Sequence, residues 1–177
     1  MQESYISHAI ETLYAYARSK CRGDDVVRRA FRQAEHSHAG QLRDGGEPYI
    51  IHPVHVATHF LAFMDGAVTQ HDVAAAVLHD VIEDDKAMTF HRLAADFGEE
   101  VALFVDLLSR QGTGKRQPLK KGEKLAKEKY RSVLVEAPRT VQVIKLCDRL
   151  DNLLSLRSCA DTAKVGRYLD ETPDFYN

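Results

Sequence analysis

"AAAVLHDVIEDD", residues 74–85, is the stretch on which the reading of the whole chain turns. It is apolar enough for a buried helix, yet it carries His79, Asp80, Glu83, Asp84 and Asp85 almost shoulder to shoulder. Packing alone does not ask for this, because burying an unpaired charge costs several kcal/mol. Either the acids reach solvent at a helix end, or they surround something that neutralises them. Just upstream, "TQHD" at 69–72 offers Thr69 and Asp72 as a capping box. Val73, Ala74, Val77, Leu78, Val81 and Ile82 then read as a helix apolar on nearly all sides, which belongs in the middle of a bundle. On one continuous helix His79 pairs with Glu83, and Asp80 with Asp84, at i+4.

The rest of the chain reads as helices around this one, and the expected class is all-α. Ile6, Ile10, Leu13 and Ala17 follow helical spacing, as do Val27, Phe31, Ala34 and His38. After the loop "GQLRDGGEPYIIHP" a helix is expected from Pro53 to about Met64, with His52 held extended at its entrance by the following proline. Thr89 caps a short helix to Asp96, another follows Gly98, and "RQGTGKRQP" is a loop. A helix over Leu125–Val135 ends at Pro138. In "TVQVIKLCDRLDNLLSL", Val143, Cys147, Leu150 and Leu154 share one face, and Lys145, Asp148, Asn152 and Ser155 another. Beyond Arg157 the pattern is weak, and "DETPDFYN" reads as frayed or loosely docked.

Composition bounds the function. The 177 residues fit one domain, residues 1–177, with 44% apolar and 28% charged content typical of a soluble globular protein. No apolar run approaches the roughly 20 residues of a membrane span and no signal peptide is visible, so a cytoplasmic protein without a membrane partner is expected. A net charge of −2 argues against a dedicated nucleic-acid binder. Three cysteines, Cys21, Cys147 and Cys159, show no CxxC spacing, and Cys147 reads as a small core residue. One segment is locally basic: Arg110 to Arg131 holds nine Lys or Arg against two Glu. It is either a solvated surface or an anion-binding one.

His52, His79, Asp80 and Asp148 together supply two imidazoles and two carboxylates. Such a mixed set suits a six-coordinate Mn²⁺, Fe²⁺ or Mg²⁺ better than a closed tetrahedral Zn²⁺ site. The bland alternatives are a helix end at solvent, a His52 that only caps its helix, and an Asp148 paired with Lys145 or Arg149. His38 reads as structural or supporting, and His55 and His59 as surface histidines rather than a second metal pair.

The pattern H…HD…D in an all-α chain resembles the HD-domain metal-dependent phosphohydrolases. Three longer segments, "HAGQLRDGGEPYIIHPVHVA", "AAAVLHDVIEDD" and "VIKLCDRLDNL", resemble the hydrolase domain of the bifunctional (p)ppGpp synthetase/hydrolases, the RelA/SpoT family, and its free-standing form, the small alarmone hydrolase. The likeness runs from about Val27 to Leu156. It implies a compact HD-domain bundle whose central buried helix carries the HD pair, and a 3′-pyrophosphohydrolase acting on a nucleotide. It implies one Mn²⁺ held by His52, His79, Asp80 and Asp148, with Glu83 and Asp84 as the catalytic pair acting on the attacking water and the leaving group. Arg43 would stack on the base, Asn152 and Ser155 would contact the nucleotide, and Lys115 and Arg116 of the basic loop would meet the pyrophosphate. No synthetase segment follows Asn177, so hydrolysis alone is expected.

The chain departs from that family at Asp44, at Ser109-Arg110 and at Asp151, where lysine, Thr-Lys and histidine are common. The metal set is untouched, and the substrate is what these changes bear on. An adenosine alarmone, NADPH or another phosphorylated nucleotide stands as an alternative substrate, and a non-hydrolysing sensor as an alternative class. Asp44 and Asp151 are then expected as acceptors that read the edge of the base. Oligomeric state cannot be read from these residues.

Overall fold

A computed structural model describes residues 2–109 and 121–172; Lys115 and Arg116 lie outside the described residues. The helices are α1 (Gln2–Cys21), α2 (Asp25–Ser37), α3 (Ile51–Phe63), α4 (Gln70–Val77), α5 (Val81–Asp84), α6 (Phe90–Phe97), α7 (Glu99–Leu108), α8 (Lys121–Glu136), α9 (Arg139–Ser155) and α10 (Thr162–Glu171). No strand occurs among the described residues, where β pairing is limited to an isolated bridge between Leu42 and Pro48. The all-α expectation holds.

The apolar pattern of 73–77 explains the architecture. Val73, Ala74, Ala75, Ala76 and Val77 are all fully buried, so α4 beyond its first turn is a core helix with no solvent face. It packs against α2, α3 and α7, while α3 packs also against α1 and α9. Thr69 and Asp72 form the expected capping box, each satisfying the other's backbone amide. Asp72 also accepts from Thr140 Oγ1 at 3.1 Å, so the cap ties the start of α4 to α9. Thr89 caps α6 as read from the sequence. Gly98, at φ 93°, closes α6 and opens α7 in the left-handed region that favours glycine.

Four local expectations change. The helix expected through Ile82 ends at Val77, and His79 and Asp80 occupy a turn before the single-turn α5. Asp80 sits at φ −120°, ψ 1°, outside helical geometry. Inside a helix His79 Nδ1 could not turn back to a free carbonyl. Here it lies 3.0 Å from the oxygen of Ala76, one of the orphan carbonyls at the end of α4. Next, His52 is helical and not extended: α3 begins at Ile51, two residues before Pro53. Proline costs nothing there, because the first amides of a helix have no intrahelical partner. Third, α9 buries Val141, Ile144, Cys147, Asp148 and Asp151 and exposes Leu154, so its polar face turns inward toward α3. Last, the weakly patterned tail holds α10, fixed by Arg149, whose guanidinium lies 3.7 Å over the Tyr168 ring and donates to the Tyr168 carbonyl.

Thr69→Ala removes one half of the box and should lower stability by about 1 kcal/mol. Urea denaturation checks it; an unchanged midpoint would mean that α4 is held by burial alone.

Candidate metal centre

Three elements bring the polar groups together. The first turn of α3 supplies His52, the turn after α4 supplies His79 and Asp80, and the inward face of α9 supplies Asp148. All four are buried or nearly so, His52 at 2%, His79 at 4% and Asp148 at 9% residual exposure. His52, His79 and Asp80 each offer a ligand atom within 4.8 Å of the others. Asp148 Oδ1 lies 3.3 Å from His52 Nε2 and 3.8 Å from His79 Nε2, and Asp80 Oδ2 lies 3.7 Å from His79 Nε2.

These separations fit a cation. Ligands held at ~2.0–2.2 Å from one ion lie no more than about 4.4 Å from each other. The ring nitrogens are also oriented for it. His79 uses Nδ1 on the Ala76 carbonyl, and His52 uses Nδ1 on Asp151 Oδ2 at 2.7 Å. Both Nε2 atoms are thereby left to face the carboxylates. The donor set, two imidazole nitrogens and two carboxylates, is one that divalent ions accept with water completing the shell.

A second layer holds the first. Asp80 is 3.1 Å from His38 Nε2 through Oδ1 and accepts the Tyr49 hydroxyl at 2.8 Å through Oδ2. Lys145 Nζ donates to Asp148 Oδ2 at 2.8 Å, which leaves Oδ1 to face the rings and accept Asn152 Nδ2 at 2.6 Å. The pairing of Asp148 with Lys145 foreseen as a surface contact is therefore real but buried. The supporting place foreseen for His38 agrees with its bond to Asp80. Tyr49 is a partner that sequence reasoning missed; the only signal was its position three residues before His52.

The charges follow from this packing. Burial opposes ionisation of Asp80 and Asp148, but neighbouring cations outweigh it and hold both well below the usual carboxylate range: His79 and His38 for Asp80, Lys145 and His52 for Asp148. Burial likewise opposes a charged His52, yet the Asp148 and Asp151 carboxylates push it up to about 9.

The remaining expected residues are placed as follows. Arg43 is almost wholly buried, its guanidinium on the Asp151 carboxylate and Nη2 3.4 Å from Asn152 Oδ1. Ser155 donates to the Asn152 carbonyl at the end of its own helix. Asp84 Oδ2 lies 3.6 Å from His38 Nδ1, and Glu83 is exposed on α5. Asp151 corrects an expectation: it is 4% exposed and committed to His52, His55 and Arg43, so it does not present an acceptor to a base. Asp44 pairs with Lys164 of α10. His55 is half-buried, its Nδ1 2.8 Å from Asp151 and its Nε2 3.0 Å from the Tyr5 hydroxyl. Its ring centroid lies 6.4 Å from that of His59.

The family model for the HD domain matches residues 30–177. The chain belongs to the HD-domain family. Its relatives include a probable GTP pyrophosphokinase of Mycobacterium leprae, 36% identical over 161 residues, and the bifunctional (p)ppGpp synthase/hydrolase SpoT of Escherichia coli, 36% identical over 153 residues. A guanosine-3′,5′-bis(diphosphate) 3′-pyrophosphohydrolase of Aquifex aeolicus is 37% identical over 135 residues. These alignments cover 88%, 85% and 75% of this chain but only 19%, 21% and 18% of the relatives, so the chain spans about a fifth of their length. A solved structure of a metazoan ortholog of SpoT, described as hydrolysing ppGpp, superposes with a TM-score of 0.65 at 24% identity, covering 85% of this chain and 81% of that one. That likeness shows the shared HD-domain bundle. No described helix is long and apolar enough to cross a membrane.

The raised His52 has a consequence for metal-free protein. Its charged form is favoured in the folded state, so its contribution is complete below about pH 6.5 and is lost as pH rises through about 9. The melting temperature of chelator-treated protein should fall across that window; a flat profile would contradict the charge placement.

Proposed function

We propose that the chain is a metal-dependent 3′-pyrophosphohydrolase of (p)ppGpp, releasing pyrophosphate and GDP or GTP, with one Mn²⁺ per chain as its cofactor. The observation that supports the metal-dependent chemistry is that His52, His79 and Asp80 each offer a ligand atom within 4.8 Å of the others, with Asp148 Oδ1 3.3 Å and 3.8 Å from the two imidazole Nε2 atoms. The substrate class comes from the relatives, two of which are named for synthesis or hydrolysis of guanosine 3′-pyrophosphates. In this reading the four side chains hold the ion, which when bound supplies the positive charge that makes water acidic enough to attack near neutral pH.

The chain's own residues do the rest. Glu83, exposed just beyond the HD turn, accepts the proton of the attacking water. Asp84, its neighbour, returns a proton to the departing 3′-oxygen, and His38 at 3.6 Å steadies its carboxylate. Arg43 contacts the nucleotide from the loop before α3, and Asn152 and Ser155 line the same side from α9. Lys115 and Arg116 meet the pyrophosphate charge. The substrate is a small nucleotide; the net charge of −2 supports no nucleic-acid partner. The chain works as a single cytoplasmic domain.

Incubating Mn²⁺-loaded protein with ppGpp, ppApp and NADPH, with products identified, tests the reading. Pyrophosphate and GDP from ppGpp are expected. Turnover of ppApp or NADPH alone would overturn the substrate, and tight ppGpp binding without turnover would overturn the enzyme. Glu83→Gln should keep substrate binding while kcat falls roughly 10²–10⁴-fold. An unchanged kcat would remove Glu83 from the chemistry.

A further inference from the structure

Asp151 holds three side chains at once, although it faces the centre only through them. Its Oδ2 accepts His52 Nδ1–H at 2.7 Å and the Arg43 guanidinium, and its Oδ1 accepts His55 Nδ1–H at 2.8 Å. One residue along α9, Asn152 donates to Asp148 Oδ1 at 2.6 Å and lies 3.4 Å from Arg43 Nη2. Two successive residues therefore hold two metal-facing side chains from behind, His52 and Asp148, and both reach the same guanidinium.

Imidazole carries its proton on one nitrogen or the other, and a hydrogen bond at one fixes the role of its partner. A carboxylate at Nδ1 keeps the proton there and leaves the lone pair on Nε2, the atom that faces His79 and Asp148. The negative charge also makes Nε2 a stronger donor to a cation. A neutral side chain of the same size offers one acceptor and no charge. Arg43 and His55 offset the cost of burying that charge, which is why Asp151 stays ionised at a position with almost no solvent.

We propose that Asp151 is the positioning residue of the metal centre: it fixes His52 as an Nε2 donor and, through the same carboxylate, holds Arg43 at the edge of the site. The proposal rests on the metal reading above. It makes a prediction about Asp151 that stacking or base reading does not, namely that its charge governs metal affinity in the absence of any nucleotide.

Titration of metal-free protein with Mn²⁺, followed by the electron paramagnetic resonance of the free ion, measures that affinity without turnover. Asp151→Asn should weaken Mn²⁺ binding about 10–100-fold. Wild-type affinity in an Asp151→Asn protein whose circular dichroism shows the native helix content overturns the proposal. Should that variant not fold, wild type loaded with Zn²⁺ decides. The His52 Nδ1 proton must then appear as a downfield, slowly exchanging resonance, and its absence overturns the proposal. A wild type that takes up no Mn²⁺ overturns the metal reading and this proposal with it, a result distinct from equal binding by the two proteins.

Discussion

Three carboxylates buried within one small region, Asp80, Asp148 and Asp151, set the terms for everything around them. Their desolvation has to be offset by positive charge or by hydrogen-bond donors. The chain provides both kinds: Lys145 and Arg43 as permanent cations, His38, His52 and His55 as rings that donate, and the Tyr49 hydroxyl. The fold serves this balance. α3, α4 and α9 meet at the core so that a histidine, an HD turn and an aspartate from three separate elements face one point.

The interruption after Val77 is the local device that makes this possible. On an unbroken helix, side chains at His79 and Asp80 would diverge by about 100° around the axis. In the turn both reach the same volume, and the helix end is closed by His79's own Nδ1. One imidazole therefore does two things at once, capping α4 and presenting Nε2. Arg43, from the loop before α3, is drawn into the same arrangement. Arg43 connects through Asp151 to His52, and through Asn152 to the surroundings of Asp148.

Much of this was legible in the sequence. Periodicity identified α1, α2 and the core of α4, because Val73–Val77 and the faces of α1 and α2 carry long apolar repeats. The Thr69 and Thr89 caps were readable from single residues, since capping is a contact three positions away. The HD pair stood out as charge within an apolar pattern, while His52 and Asp148 were read from a helix entrance, a polar helix face and the family resemblance; the structure brings His79, Asp80 and His52 within 4.8 Å. What the sequence hid depends on direction. Nothing in a one-dimensional pattern says that a helix stops at Val77 without a Gly or Pro, or that α9 turns its polar face inward. For the same reason Asp151 read as an acceptor awaiting a base, when its partners lie about a hundred positions away in loop and helix. α10 escaped because a single stacked pair, Arg149 on Tyr168, fixes it more than any repeat does.

The central claim is that these buried donors exist to hold one divalent ion. A crystal structure of the protein grown with Mn²⁺, with data collected at the manganese absorption edge, tests it most directly. The account predicts a single anomalous peak at about 2.0–2.2 Å from His52 Nε2, His79 Nε2 and one oxygen each of Asp80 and Asp148. A peak elsewhere on the chain, or none at this point with the four side chains ordered, would contradict it.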